Sequence, residues 1–120
     1  MKNLKFILFS FCGLILISMT SSFACDTAKA PNDPGFCPSF KAVAYCHCTA
    51  AGVPGKKCED MNYIYELARS RYGSIENACR KQTDTDYQTC MDSWGCYRGD
   101  IKKDSKNQLC SGTGNACEHK

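Results

Sequence analysis

The clearest periodic pattern along the chain is helical and lies within residues 59–72. Apolar and aromatic residues recur there at three- and four-residue steps: Met61, Ile64, Tyr65, Ala68 and Tyr72. Acidic residues occupy the first turn and arginines occupy the last, which matches the helix dipole at both ends. We therefore predict a helix over residues 59–72, and Gly73 is placed to end it.

The same periodicity predicts three more short helices. They are expected at residues 38–51, from Ser74 to about Gln82, and from Tyr87 to Gly95. Pro38 suits a first helical turn, and Ser74 is the expected N-cap of the third helix. No alternating pattern typical of a strand occurs. The predicted fold is all-α: a small domain of about four short helices with an irregular C-terminal tail.

The first 24 residues differ from the rest in carrying a long, largely apolar run. Lys2 and Lys5 precede this run over residues 6–19, and small residues follow it up to Ala24. This order is typical of a secretory signal peptide, and the run is shorter than the roughly 20 residues of a membrane-spanning helix. We predict a signal peptide at 1–24 and a single soluble domain at 25–120, secreted or periplasmic and without a transmembrane segment.

Cysteine is the most unusual feature of the composition, with 11 cysteines in 120 residues. Cys12 lies in the predicted signal peptide, so an even number remains in the mature chain. Because large apolar side chains are scarce there, we expect disulfides to supply much of the stability of an exported domain. The predicted disulfide cysteines are Cys25, Cys37, Cys46, Cys48, Cys58, Cys79, Cys90, Cys96, Cys110 and Cys117.

Spacing constrains part of the pairing. Cys46 and Cys48 are separated by about 200° around the predicted helix axis, so we expect them to bridge to different partners. Cys79 and Cys90 flank the turn between the third and fourth helices and could be bonded to each other if these helices form an antiparallel hairpin, while the full set of pairings stays open. A minor alternative for Cys25 is a lipoprotein anchor, but a serine stands three positions before it and lipidation would leave an odd number of cysteines.

A cluster of basic and aromatic residues around the third helix is the best candidate for a binding site. It comprises Arg69, Arg71, Tyr72, Ser74, Arg80 and Lys81. A helix N-terminus beside arginines suits phosphate, sulfate or an anionic lipid headgroup. In the alternative interpretation the arginines offset a helix dipole and the tyrosines pack in the core. Without the signal peptide the chain is nearly neutral, so no nucleic-acid partner is predicted.

Catalytic and metal-binding patterns are scarce. Cys46, His47, Cys48 and Cys58 offer metal-type ligands, but neighbouring helix positions diverge in direction, and we interpret these cysteines as oxidised. The only other imidazole is His119, near the chain end. We therefore predict no catalytic residue, metal or cofactor. Paired carboxylates for glycoside hydrolysis stay an open alternative, with the candidates Glu59, Glu66, Glu76, Asp84, Asp86 and Asp92.

The function that these features favour is binding outside the cytoplasm. We expect a small, exported, cysteine-rich interaction protein, such as a secreted bacterial effector, that recognises an extracellular or host protein, a glycan or an anionic lipid headgroup. The alternative is a small secreted hydrolase of the lysozyme-like kind. A binding module should expose an aromatic or basic surface, whereas such a hydrolase should place two carboxylates across a groove.

Overall fold

The protein is described here by a computed structural model that covers residues 25–117; the predicted signal peptide and His119 lie outside the described residues. Five α-helices follow one another: α1 (Phe36–Ala50), α2 (Gly55–Cys58), α3 (Met61–Tyr72), α4 (Ile75–Lys81) and α5 (Tyr87–Arg98). A 3-10 turn follows at Cys110–Gly112, and one antiparallel bridge joins Lys103 to Leu109. Residues 25–117 contain no strand, so the all-α prediction is confirmed.

The first helices begin at positions set by local hydrogen bonds. Helix α1 starts two residues earlier than predicted, and Pro38 still lies in its first turn, where a missing N–H breaks no helical bond. Asp60 accepts hydrogen bonds from the backbone N–H groups of Asn62 and Tyr63, so this carboxylate caps α3 rather than lying in its first turn. The four residues of α2 form a separate turn before it.

The α3–α4 junction follows the sequence prediction. Gly73 ends α3 in a left-handed conformation, with φ of 87°, which suits a residue without a Cβ. Ser74 then caps α4, because its hydroxyl oxygen accepts a hydrogen bond of 3.1 Å from the Asn77 N–H. The two helices therefore turn sharply against each other over two residues.

The prediction that the last helix ends at Gly95 is wrong. Helix α5 continues to Arg98 and ends at Gly99, which has a φ of 81°. Gly95 serves packing instead of termination: a Cβ at this position would lie only 3.0 Å from the Ile101 side chain. The absence of a side chain at Gly95 lets Ile101, at the beginning of the tail, pack closely against α5.

Five disulfides join all ten cysteines of the described chain. They are Cys25–Cys46, Cys37–Cys117, Cys48–Cys58, Cys79–Cys90 and Cys96–Cys110. Cys46 and Cys48 have different partners and Cys79 pairs with Cys90, so both spacing predictions are confirmed. The Cys25 sulfur is bonded in this structure and is not a free thiol for a lipid. This set of cross-links is consistent with a location outside the reducing cytoplasm.

The core consists of two neighbouring clusters with disulfide sulfur in both. One gathers Phe36, Ala44, Met61, Ile64 and Tyr97 with five cysteines, and the other gathers Ile75 and Ala78 with Cys79 and Cys90. Trp94 packs against both clusters. Its ring contacts Phe40 edge-on at 4.9 Å between centroids and Tyr65 at 5.3 Å. The clusters enclose the space in which the main pocket lies.

Candidate functional site

A pocket of about 330 Å³ lies between helices α1, α3, α4 and α5. Its floor is formed mainly by apolar side chains, which include Phe40, Val43, Ile64, Leu67, Ala68 and Trp94. Ile64 and Ala68 belong to the apolar stripe that predicted helix α3. A pocket of this size and lining suits the apolar part of a small molecule.

The N-terminal arm forms one wall of the pocket. Thr27, Ala28 and Lys29 line it, although the arm contains no regular secondary structure. The Cys25–Cys46 disulfide holds the beginning of the arm to α1, and the Lys29 N–H donates a 2.8 Å hydrogen bond to the Ser39 hydroxyl. The arm is therefore attached to α1 at two points on either side of the residues that face the pocket.

A histidine–aspartate pair stands on the opposite part of the rim. His47 Nε2 lies 2.9 Å from Asp84 Oδ2, and both side chains are partly exposed. Because an ionised carboxylate only accepts hydrogen bonds, Nε2 is the donor. The contact joins α1 to the loop between α4 and α5, whose residues Gln82 and Thr85 also line the pocket. The pair thus holds this loop against the helix that carries the pocket floor.

The predicted anion-binding residues separate into groups in the structure. Arg71 and Tyr72 line the pocket, at the end of α3. Arg69 lies on the same helix but pairs with Glu66, at 3.1 Å between guanidinium nitrogen and carboxylate oxygen. Arg71 makes no such pair among residues 25–117. Of the two arginines, only Arg71 lines the pocket, and it has no ionic partner within residues 25–117.

The other members of the predicted cluster belong to α4. The Ser74 hydroxyl oxygen is engaged in capping the helix. Arg80 donates to the Asn77 side-chain oxygen and lies over the Tyr87 ring, 4.9 Å from its centroid. Lys81 is exposed in the last turn. These three residues are not among those that line the pocket.

The carboxylates considered for hydrolysis are dispersed. Asp84 is the only one of the six candidates that lines the main pocket, and it is bonded to His47. Glu66 pairs with Arg69 on the surface. Glu59 lines a second pocket of about 670 Å³, together with Arg98 and Tyr97.

Asp86 and Asp92 have structural contacts of their own. The Thr89 side chain and backbone N–H hydrogen-bond to Asp86, and these bonds lower the pKa of that N-cap carboxyl. Asp92 is buried and accepts hydrogen bonds from the backbone N–H and hydroxyl of Ser105, at 3.1 and 2.6 Å. Asp86 therefore caps the beginning of α5, and Asp92 joins the middle of α5 to the C-terminal tail.

The zinc alternative at His47 has lost its sulfur ligands. Cys46 and Cys48 on either side of the histidine, and Cys58 in the next helix, are oxidised in disulfides. Among residues 25–117, no group of three or more potential ligand side chains is arranged to hold a metal ion. The imidazole serves the ion pair described above.

Sequence reasoning missed the pocket itself and the His47–Asp84 pair. The paired residues are 37 positions apart, and neither stands in a recognisable motif. Only the helical stripe that contains Ile64 and Ala68 signalled that side chains at the pocket face inward. Whether inward faces meet or leave a cavity depends on the packing of four helices, which periodicity does not encode.

None of the helices within residues 25–117 has the length and apolar content needed to cross a membrane. Comparisons of the chain with protein-family models, with curated proteins and with solved structures find no match.

Proposed function

We propose that this protein is an exported binding protein that holds the apolar part of a small amphipathic molecule in the pocket between α1, α3, α4 and α5. The single observation that carries the proposal is the interhelical cavity of about 330 Å³, with an apolar floor and a polar rim. Small-molecule sites in proteins have this character, with volumes of roughly 300–1,000 Å³. Export and release by cleavage of residues 1–24 belong to the same proposal.

The volume of the cavity indicates the size of the ligand. Liquid water occupies roughly 30 Å³ per molecule, and a methylene group is of similar size, so the cavity accommodates a chain of about ten carbons. Burying ten methylenes contributes about 8 kcal/mol before the cost of association is subtracted. Since that cost is about 4 kcal/mol or more, about 4 kcal/mol remains, and we expect a dissociation constant in the millimolar range.

The cross-linked frame supports a binding role. The Cys79–Cys90 disulfide joins α4 to α5, and the Cys48–Cys58 disulfide joins α1 to α2. A cavity in a small domain costs stability, because the surrounding side chains lose contacts. By restricting the unfolded chain, the covalent links offset this cost in a chain with few large apolar residues.

The test is a titration of the folded protein with 1-decanol and with decanoate by calorimetry. We expect saturable one-to-one binding of at least one of these probes. Val43→Trp places a large ring in the pocket and should weaken binding at least tenfold. Ala42→Trp is the matched control, because Ala42 is the exposed neighbour on the same helix and does not line the pocket.

A second measurement keeps the test valid if Val43→Trp fails to fold. Trp94 is the only tryptophan and lines the pocket, so ligand bound there should change the tryptophan emission of the wild-type protein. Saturable binding that leaves this emission unchanged would contradict the proposed location. Failure of both probes to bind at millimolar concentration would refute the proposed function.

A further inference from the structure

We infer that the amphipathic ligand carries an anionic head, a carboxylate or a phosphate, and that Arg71 on the pocket rim binds it. The inference rests on the proposed function, because it concerns the polar end of the molecule whose chain occupies the pocket.

Four side chains that can carry charge line the pocket: Lys29, His47, Arg71 and Asp84. The single carboxylate among them, Asp84, is hydrogen-bonded to His47 at 2.9 Å. Two cationic side chains, Lys29 and Arg71, therefore share the lining with one carboxylate, and neither of them pairs with it. A head that enters this rim meets an excess of positive charge, which favours an anion and disfavours a cation.

Arg71 is the better placed of the two cations. Its side chain is exposed at the end of α3, and within residues 25–117 it takes part in none of the ion pairs or ring contacts that occupy Arg69 and Arg98. The Lys29 ammonium instead lies against Gly35, where the Asp33 carboxylate also lies. The Asp33 carboxylate thus offsets part of the lysine charge, whereas the guanidinium of Arg71 is available to bind a ligand.

The chemistry of the guanidinium fits such a head. Its planar donors match the paired oxygens of a carboxylate or phosphate, so one side chain can bind either group through two parallel hydrogen bonds. Tyr72, the next residue, is 42% exposed and also lines the pocket. Its ring presents an apolar surface near the transition from chain to head. The same geometry suits a fatty acid and a single-chain phospholipid.

The experiment compares three probes with the same ten-carbon chain: decanoate, decyl phosphate and decyltrimethylammonium. The wild-type protein should bind both anions at least fivefold more tightly than the cation at low ionic strength, and added salt should reduce this preference. Preference for decanoate over decyl phosphate, or the reverse, distinguishes a carboxylate source from a phosphate source.

Two arginine variants then test the residue. Arg71→Met keeps a long apolar stem but removes the charge, and it should remove most of the preference for anions. Arg69→Met is the matched control, because Arg69 lies on the same helix but pairs with Glu66, and it should keep that preference. Lys29→Met should reduce the preference by less than Arg71→Met does.

The outcomes separate this inference from the proposed function. Equal affinity for all three probes would overturn the anionic head and leave the apolar pocket intact. A preference for anions that Arg71→Met reduces no more than Arg69→Met or Lys29→Met does would overturn the role of Arg71. Binding of none of the probes would overturn the proposed function and this inference with it.

Discussion

The Cys37–Cys117 disulfide should be the most stabilising of the five cross-links. It joins the first turn of α1 to the end of the described tail across 80 positions, so its loop encloses all five helices except the first residue of α1. The Cys79–Cys90 disulfide closes a loop of only 11 positions within the α4–α5 hairpin. Because the entropy that a cross-link removes from the unfolded chain grows with loop length, the two make a matched pair.

The loop lengths give the expected magnitudes. In the chain-entropy relation, replacing Cys37 and Cys117 by alanine should lower the free energy of unfolding by about 4.5 kcal/mol, against about 2.8 kcal/mol for Cys79 and Cys90. Loss of packing does not explain this order. Cys79 and Cys90 are both buried, whereas Cys37 is only half-buried, so the packing contribution works against the expected difference.

Urea unfolding followed by Trp94 fluorescence measures both variants, because this ring contacts both core clusters and should report their loss together. The wild-type protein and both double variants are compared under non-reducing conditions. If the Cys79/Cys90 variant loses as much stability as the Cys37/Cys117 variant, or more, loop entropy does not govern the stability of this chain and the argument is refuted.

Two further predictions concern carboxylates with structural contacts. Replacing Asp92 by Ala should lower the free energy of unfolding by about 1–3 kcal/mol, because the Ser105 N–H and hydroxyl lose a buried acceptor. In the same denaturant titration, Asp100→Ala should change the free energy of unfolding by less than about 1 kcal/mol, since the ion pair of Asp100 with Arg98 is exposed. Equal losses in the two variants would contradict the structural role of Asp92. The hydrogen bonds from Thr89 lower the pKa of Asp86, so this carboxyl stabilises the fold above its unfolded pKa of about 3.9 and loses the contribution as pH falls through its folded pKa. The midpoint of thermal unfolding should therefore fall less between pH 5 and pH 2 in Asp86→Asn than in the wild-type protein. Parallel plots of this midpoint against pH would refute the role of the cap.

Local chemistry made much of the fold predictable. The stripe in α3, the glycine that ends it and the cap at Ser74 depend on residues within a few positions of one another, and all of them were found as expected. The same holds for Cys79–Cys90, since a turn of known length fixes the distance between its flanks. The end of α5 was not predictable, because the role of Gly95 depends on Ile101 folding back from the tail.

The amino-acid sequence alone determined that this chain is helical and rich in cysteines able to pair, because helical periodicity, capping and cysteine parity are local or countable properties. The tertiary structure decided where an open space remains and which side chains border it. Glu66 stands three positions before Arg69, so their ion pair is a local contact within α3, whereas only the packed helices place Arg71 on the pocket rim. Pockets arise from contacts between residues far apart in the chain, and for that reason the candidate site became visible only once the helices were assembled.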